Sequence, residues 1–189
     1  MGPVIWEGVE RRRDLKRIGI IAAAVLVMLA GSAASQGIGS EELELSPDIK
    51  VKQLTLNSWL YTCTAKLPEY DKPVSGNGLI LVNGTSAVLI DLLWNDEQVK
   101  TVADWIAERF KAKIEYAVPT HYHQDSAGGL AAAHQLGAES WALHKTTVKL
   151  YDLGGTIPKN SFSGEKTIYC GDLKVELLYP GAGHTDDNI

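Results

Sequence analysis

His121, His123 and Asp125 stand at alternate positions in the stretch Pro119-Thr120-His121-Tyr122-His123-Gln124-Asp125-Ser126-Ala127-Gly128-Gly129. Imidazole nitrogens and carboxylate oxygens are ligands that zinc accepts at about 2 Å. A His-x-His-x-Asp run is compact enough to serve one metal, or two metals roughly 3.5–4 Å apart. Far downstream, Gly181-Ala182-Gly183 frees the backbone to bring His184 close to something. His121, His123 and His184 together offer three nitrogens and leave a fourth position open, which is what catalytic zinc requires. Zinc bound in this way lowers the pKa of its water to about 7, so hydroxide is available at neutral pH. Asp125 is then the residue to bind a second metal and orient the attacking hydroxide. The remaining histidines, His134 in a helix and His144, read as ordinary core or surface residues.

These side chains need a scaffold, and the flanking sequence supplies one. Residues 114–118 (Ile-Glu-Tyr-Ala-Val) read as a short buried strand, and Ala-rich residues 130–136 as a helix ended by Gly137. The ligand run is therefore a strand-to-helix loop, with alternate side chains of extended backbone pointing the same way. Upstream, residues 51–56 and 59–64 suggest two strands with a turn at Asn57-Ser58. Residues 66–76 hold two prolines and read as a loop. Residues 79–82 and 87–90 flank Asn83-Gly84, a strong hairpin signal. Both strands are apolar on successive residues, so both faces of the sheet are covered. Asn95 caps a helix on which Val99, Val102, Ile106 and Phe110 form one face, with Gln98 in capping-box position. A strand at 139–144, a helix at 146–153, a loop at 156–166 and a hairpin turning at Gly171-Asp172 follow. Strands first, then alternating helix and strand, predict a layered α/β protein with a mixed sheet.

The chain of 189 residues is 45% hydrophobic and 22% charged, values of a globular protein with a substantial core. Its net charge of -5 and the lack of a basic stripe beyond the N-terminus argue against a nucleic-acid partner. That N-terminus reads as a secretory signal peptide over residues 1–34. Arg11-Arg12-Arg13-Asp14-Leu15-Lys16-Arg17 is its basic region, and Ser32-Ala33-Ala34 its cleavage box. The apolar run at 18–30 falls short of the roughly 20 residues that span a bilayer. Export to the periplasm follows, without stable membrane association after cleavage. Residues 35–50 read as a flexible leader into a domain at 51–189. Cys63 and Cys170 read as two buried thiols rather than a disulfide.

The sequence resembles the metallo-β-lactamases, and most closely their di-zinc subclass whose second metal uses a cysteine. The likeness runs from about Trp59 to the last residue. It rests on Ser75-Gly76-Asn77-Gly78-Leu79-Ile80, Leu89-Ile90-Asp91-Leu92-Leu93-Trp94-Asn95-Asp96, the Thr120–Gly129 stretch, Asn160-Ser161-Phe162-Ser163-Gly164, and Tyr179-Pro180-Gly181-Ala182-Gly183-His184-Thr185-Asp186-Asp187-Asn188-Ile189. Five segments in the right order are more specific than the metal loop alone. The resemblance implies a four-layer αβ/βα sandwich, His121, His123 and His184 on a first zinc, and Asp125 on a second. It also implies Asp91 as a carboxylate beneath the ligand loop, and residues 66–74 as a flap. Trp94 either helps line the substrate site or closes the core beside the first helix. Superfamily members acting on lactones, thioesters or nucleic acids usually carry a histidine after the aspartate, where this chain has Ser126.

The implied activity is hydrolysis of the β-lactam bond of penicillins, cephalosporins and carbapenems, conferring antibiotic resistance, by a monomer acting on a small-molecule substrate. In the family, a cysteine ligand, a substrate-binding lysine and a last histidine ligand lie beyond the position of Ile189. The expectation is thus a sandwich whose second half is incomplete, with a complete first zinc set and an inactive 189-residue chain. Two other readings stay open: a different hydrolase of the superfamily, acting on a lactone or thioester, and a non-catalytic zinc-binding fragment.

Overall fold

The computed structural model describes residues 41–189. The signal peptide read at residues 1–34 lies outside the described residues. Eight strands form one sheet in chain order: β1 (Glu42–Ser46), β2 (Ile49–Gln53), β3 (Ser58–Ala65), β4 (Val74–Asn83), β5 (Ser86–Ile90), β6 (Lys113–Val118), β7 (Glu139–Leu143) and β8 (Asn160–Phe162). Neighbours are antiparallel from β1 to β5 and parallel from β5 to β8. Parallel strands need long crossovers, and helices supply them. α1 (Asp96–Phe110) joins β5 to β6, α2 (Gln124–Ala127) and α3 (Leu130–Gln135) join β6 to β7, and α4 (His144–Asp152) joins β7 to β8. A separate antiparallel hairpin, β9 (Glu165–Cys170) and β10 (Leu173–Leu178), ends the ordered elements.

The large sheet divides two cores, because its apolar strands bury alternate side chains on opposite faces. Ile80, Val82, Ala87, Leu89, Ile114 and Ala117 face Val99, Val102 and Ile106 of α1 and Leu130 of α3. The three α1 side chains are fully buried, each worth about 2 kcal/mol of transfer free energy. On the other face Val88, Val118 and Leu143 meet Ile168, Cys170 and Leu177 of the hairpin. Cys63 belongs to the first core and Cys170 to the second, and both are free thiols, as read. Burial pushes the Cys63 thiol up to about 12, which makes it inert. The expected α/β class with a mixed sheet is the observed one.

Several local readings need correction. Glu42–Ser46 is a strand, not leader, because Leu43 pairs with Val51 and packs on the first core. Leu54 and Leu56 leave the strand pattern and stand exposed in the β2–β3 turn. β4 begins at Val74 and runs through two glycines. Gly78 is required there, since a Cβ would lie 2.2 Å from the Tyr61 hydroxyl oxygen. Residues 160–162 form β8, inside a stretch read as loop, through parallel pairing with β7. Asn95 does cap α1, its side chain accepting from the Gln98 amide at 2.9 Å. The Gln98 side chain does not close the box. Its Oε1 accepts from the Trp94 amide, and its Nε2 donates to Asp48 and the Thr64 carbonyl.

Candidate metal centre

The ends of β5 and β6 are neighbours on parallel strands, so the loops leaving them emerge side by side. Open α/β sheets present ligands at this edge. The first loop, residues 91–94, folds back with Asp91 and Leu93 at φ 62° and 56°, backbone that favours glycine. Hydrogen bonds secure it to the second: Asp91 N–H donates to Val118 O at 2.8 Å, and Leu92 N–H to Ser126 O at 2.7 Å. Gly129 N–H returns to Leu92 O at 3.0 Å. Glycine is needed there too, because a Cβ on Gly129 would meet Val99 Cγ2 at 2.2 Å.

Asp91 lies where a carboxylate beneath the ligand loop was expected. Its Oδ1 accepts from Thr120 N–H at 2.9 Å, from the Thr120 hydroxyl at 2.7 Å, and from the Ser126 hydroxyl. Burial raises its pKa, and the Ser126 and Thr120 hydrogen bonds oppose that shift. Ser126 is fully buried, and its oxygen also accepts from the amides of Thr120 and His121 at 2.9 and 3.3 Å. This hydroxyl is committed to holding the loop. Because Thr120 Oγ1 donates to Asp91, it can only accept from His121 Nδ1, which lies 3.1 Å away. That fixes the His121 proton on Nδ1 and leaves the Nε2 lone pair free. Thr120 escaped the sequence reading, since a threonine beside a histidine carries no pattern of its own.

The three predicted histidines come together. Their ligand nitrogens all lie within 4.8 Å of one another, and the rings meet edge to face at 4.8–5.1 Å between centroids. His123 Nδ1 and His184 Nε2 are 3.2 Å apart, close to the roughly 3.3 Å edge of a tetrahedron around zinc. His121 Nε2 is buried without a hydrogen-bond partner. A buried nitrogen with no partner, on a ring packed edge to face against two other imidazoles, suits a metal ligand, so the residues fit the implied ion. Burial is the main cause that lowers the His121 pKa, and nearby Asp91 and Asp125 partly oppose it. The ring is thus held neutral, the form that binds metal.

Asp125 differs from its expected setting. It lies in the first turn of α2, not on extended backbone, and its Oδ1 is 3.7 Å from His121 Nε2. It adjoins the trio without hydrogen-bonding to it. Gly76 makes room for it, since a Cβ there would stand 2.9 Å from Asp125 Cβ and 3.3 Å from Trp94 Nε1. Trp94 is buried in the helix-side core with its indole nitrogen on the Asp125 side. His184 arrives on residues 180–189, after β10. Asn188 Oδ1 accepts from the amides of Gly183 and Thr185, and Ile189 N–H donates to Thr120 O at 3.0 Å. His134 and His144 stay apart from the trio: His134 bonds to Ser140 Oγ at 2.7 Å, and His144 is exposed.

Three clustered imidazoles, two on the loop after β6 and one on the segment after β10, with a buried carboxylate behind Thr120, make a metal-binding type of site. The comparisons agree with that class and narrow it. The chain is 28% identical to the Bacteroides fragilis metallo-β-lactamase type 2 over 152 residues, covering 80% of this chain and 61% of that protein. It is 30% identical to the Elizabethkingia meningoseptica metallo-β-lactamase type 2 over 166 residues, 87% of this chain and 64% of that one. Among solved structures, a metallo-β-lactamase from Erythrobacter litoralis superposes with a TM-score of 0.69 at 29% identity, covering 78% and 67%. One from Pontibacter korlensis gives 0.68 at 28% identity, covering 74% and 64%. No family model matches the chain. Its relatives in sequence and its neighbours in structure are metallo-β-lactamases, as the motifs indicated, and the fold is theirs. The chain spans about six-tenths of the length of these curated relatives.

Proposed function

We propose that the chain provides the first zinc site of an enzyme that hydrolyses the amide bond of β-lactam antibiotics. The observation that carries this is the His121–His123–His184 cluster with its orphaned His121 Nε2. His121, His123 and His184 would hold the first ion, and Asp125 would contribute to a second. A bound zinc supplies Lewis acidity and makes water nucleophilic near neutral pH. The chain's own residues do the positioning. Asp91 and Thr120 fix the His121 tautomer, Ser126 holds the ligand loop, and Gly76 lets the Asp125 side chain sit beside the trio. Since Ser126 offers no imidazole and its hydroxyl is already committed, a β-lactam substrate is favoured over a lactone or thioester. Penicillins, cephalosporins and carbapenems are the proposed substrates, antibiotic resistance the consequence, and a monomer exported to the periplasm the working form. The activity is proposed for the whole protein, and zinc binding for this chain.

Equilibrium titration against a chromophoric chelator should show zinc bound by the chain, and His123→Ala should abolish it. In the whole protein, a chromogenic cephalosporin should be hydrolysed until zinc is stripped. Hydrolysis that survives removal of zinc would sink the proposal.

A further inference from the structure

The histidines reach the cluster from two segments remote in sequence. His121 and His123 leave β6, and His184 follows β10. Something must set the distance between the two segments, because a ligand displaced by a fraction of an ångström weakens a metal site. Backbone pairing does part of this at Ile189 and Thr120. A single side chain from a third element does more. Lys149 of α4 places its Nζ 2.9 Å from Asp186 Oδ1 and 4.7 Å from the centroid of the Tyr122 ring. Tyr122 stands between the two ligands of the first segment, and Asp186 lies two residues after the ligand of the second. One ammonium therefore touches both, through an ion pair on one side and a cation over an aromatic face on the other.

The rest of α4 supports the same grip. Lys145 Nζ, one turn earlier, donates to the Tyr179 hydroxyl at 2.9 Å and to Asp186 O at 3.3 Å. The Tyr179 hydroxyl donates to the same carbonyl at 2.9 Å, and Thr146 Oγ1 donates to Asp187 O at 3.2 Å. An ion pair as exposed as Lys149 with Asp186 contributes little to folding. Its placement across two ligand segments is where it can matter.

We propose that Lys149 is a positioning residue of the metal centre, clamping the Tyr122 and Asp186 segments at the spacing that the three histidines need; this rests on the zinc reading above. Lys149→Met keeps the apolar stem and removes the charge. It should weaken zinc binding about tenfold, the low end of what losing a group that supports metal ligands costs. It should also shift the visible absorption of the cobalt-loaded chain. Its metal-free thermal unfolding should match the native chain. Lys149→Arg restores both contacts and should recover affinity and spectrum, while Asp186→Asn should weaken zinc binding in the same direction as Lys149→Met. If the native chain binds zinc and His123→Ala abolishes this, yet Lys149→Met binds within twofold with a superimposable cobalt spectrum, the clamp is overturned alone. If the native chain binds no zinc, the metal centre falls, and the clamp with it.

Discussion

The two segments that build the metal centre are made differently. The His121 segment is held from within. Asp91, Thr120 and Ser126 form a buried knot of hydrogen bonds around it, and His121 is 7% exposed. The His184 segment is held from outside. It has no helix or strand of its own, His184 is exposed, and beyond its internal Asn188 turn its contacts come from Thr120 and α4. Ligands borne by a buried knot are fixed when the sheet folds. A ligand borne by an exposed loop is fixed by its neighbours and by the metal itself. The first segment therefore belongs to the fold, and the second to the site.

That division can be broken most directly at Asp91. Replacing it by alanine leaves two donors, the hydroxyls of Thr120 and Ser126, without their shared acceptor, while Thr120 N–H keeps only Ser126 Oγ. An unmet buried group costs about 1–3 kcal/mol, so a loss of about 3 kcal/mol is expected in urea unfolding of the metal-free chain. A change under about 1 kcal/mol would mean that the knot is not part of the fold. His184→Ala tests the other side. It should abolish tight zinc binding yet leave the metal-free unfolding free energy within about 0.5 kcal/mol, as exposed substitutions usually do. A loss approaching that of the Asp91 variant would erase the distinction.

The same distinction explains what the sequence disclosed. The clustering of the three histidines was legible, because His-x-His-x-Asp and Gly-x-Gly-His are spacings with a chemical meaning. The α1 cap and the Asn83-Gly84 hairpin were legible because local rules decide them. The strand at residues 42–46 was not, since its polar residues disguise a pairing with β2 that settles the conformation. β8 was missed for a similar reason: three residues carry no period, and only β7 makes them a strand. In the site, Thr120 and Lys149 were invisible. Each acts through a partner 29 or 37 residues away, Asp91 or Asp186, and spacing alone does not encode such contacts.

A smaller effect sharpens the comparison by setting His121 against His134. Both imidazoles have a lowered pKa, and burial is the leading cause for each. They differ at Nε2, which has no partner in His121 and a fixed one in His134. Lys159 N–H donates to Ser140 Oγ at 2.7 Å, so the Ser140 proton is free to point at His134 Nε2. Lys159 also opposes a charge on His134. The ordinary histidine value is 6.5, and the folded value lies below it. Between the two, the unfolded chain binds more protons, so stability rises with pH there. The contribution is complete above 6.5 and is lost as pH falls from there through the folded value. His134→Gln should therefore flatten the decline of the urea midpoint just below that pH, with or without zinc. The His121 share of the decline should instead respond to zinc, because the metal takes the lone pair that a proton would otherwise claim. If zinc left the acid-side decline of the His134→Gln chain unchanged, His121 would be one more buried histidine, and the orphaned nitrogen would not be a ligand.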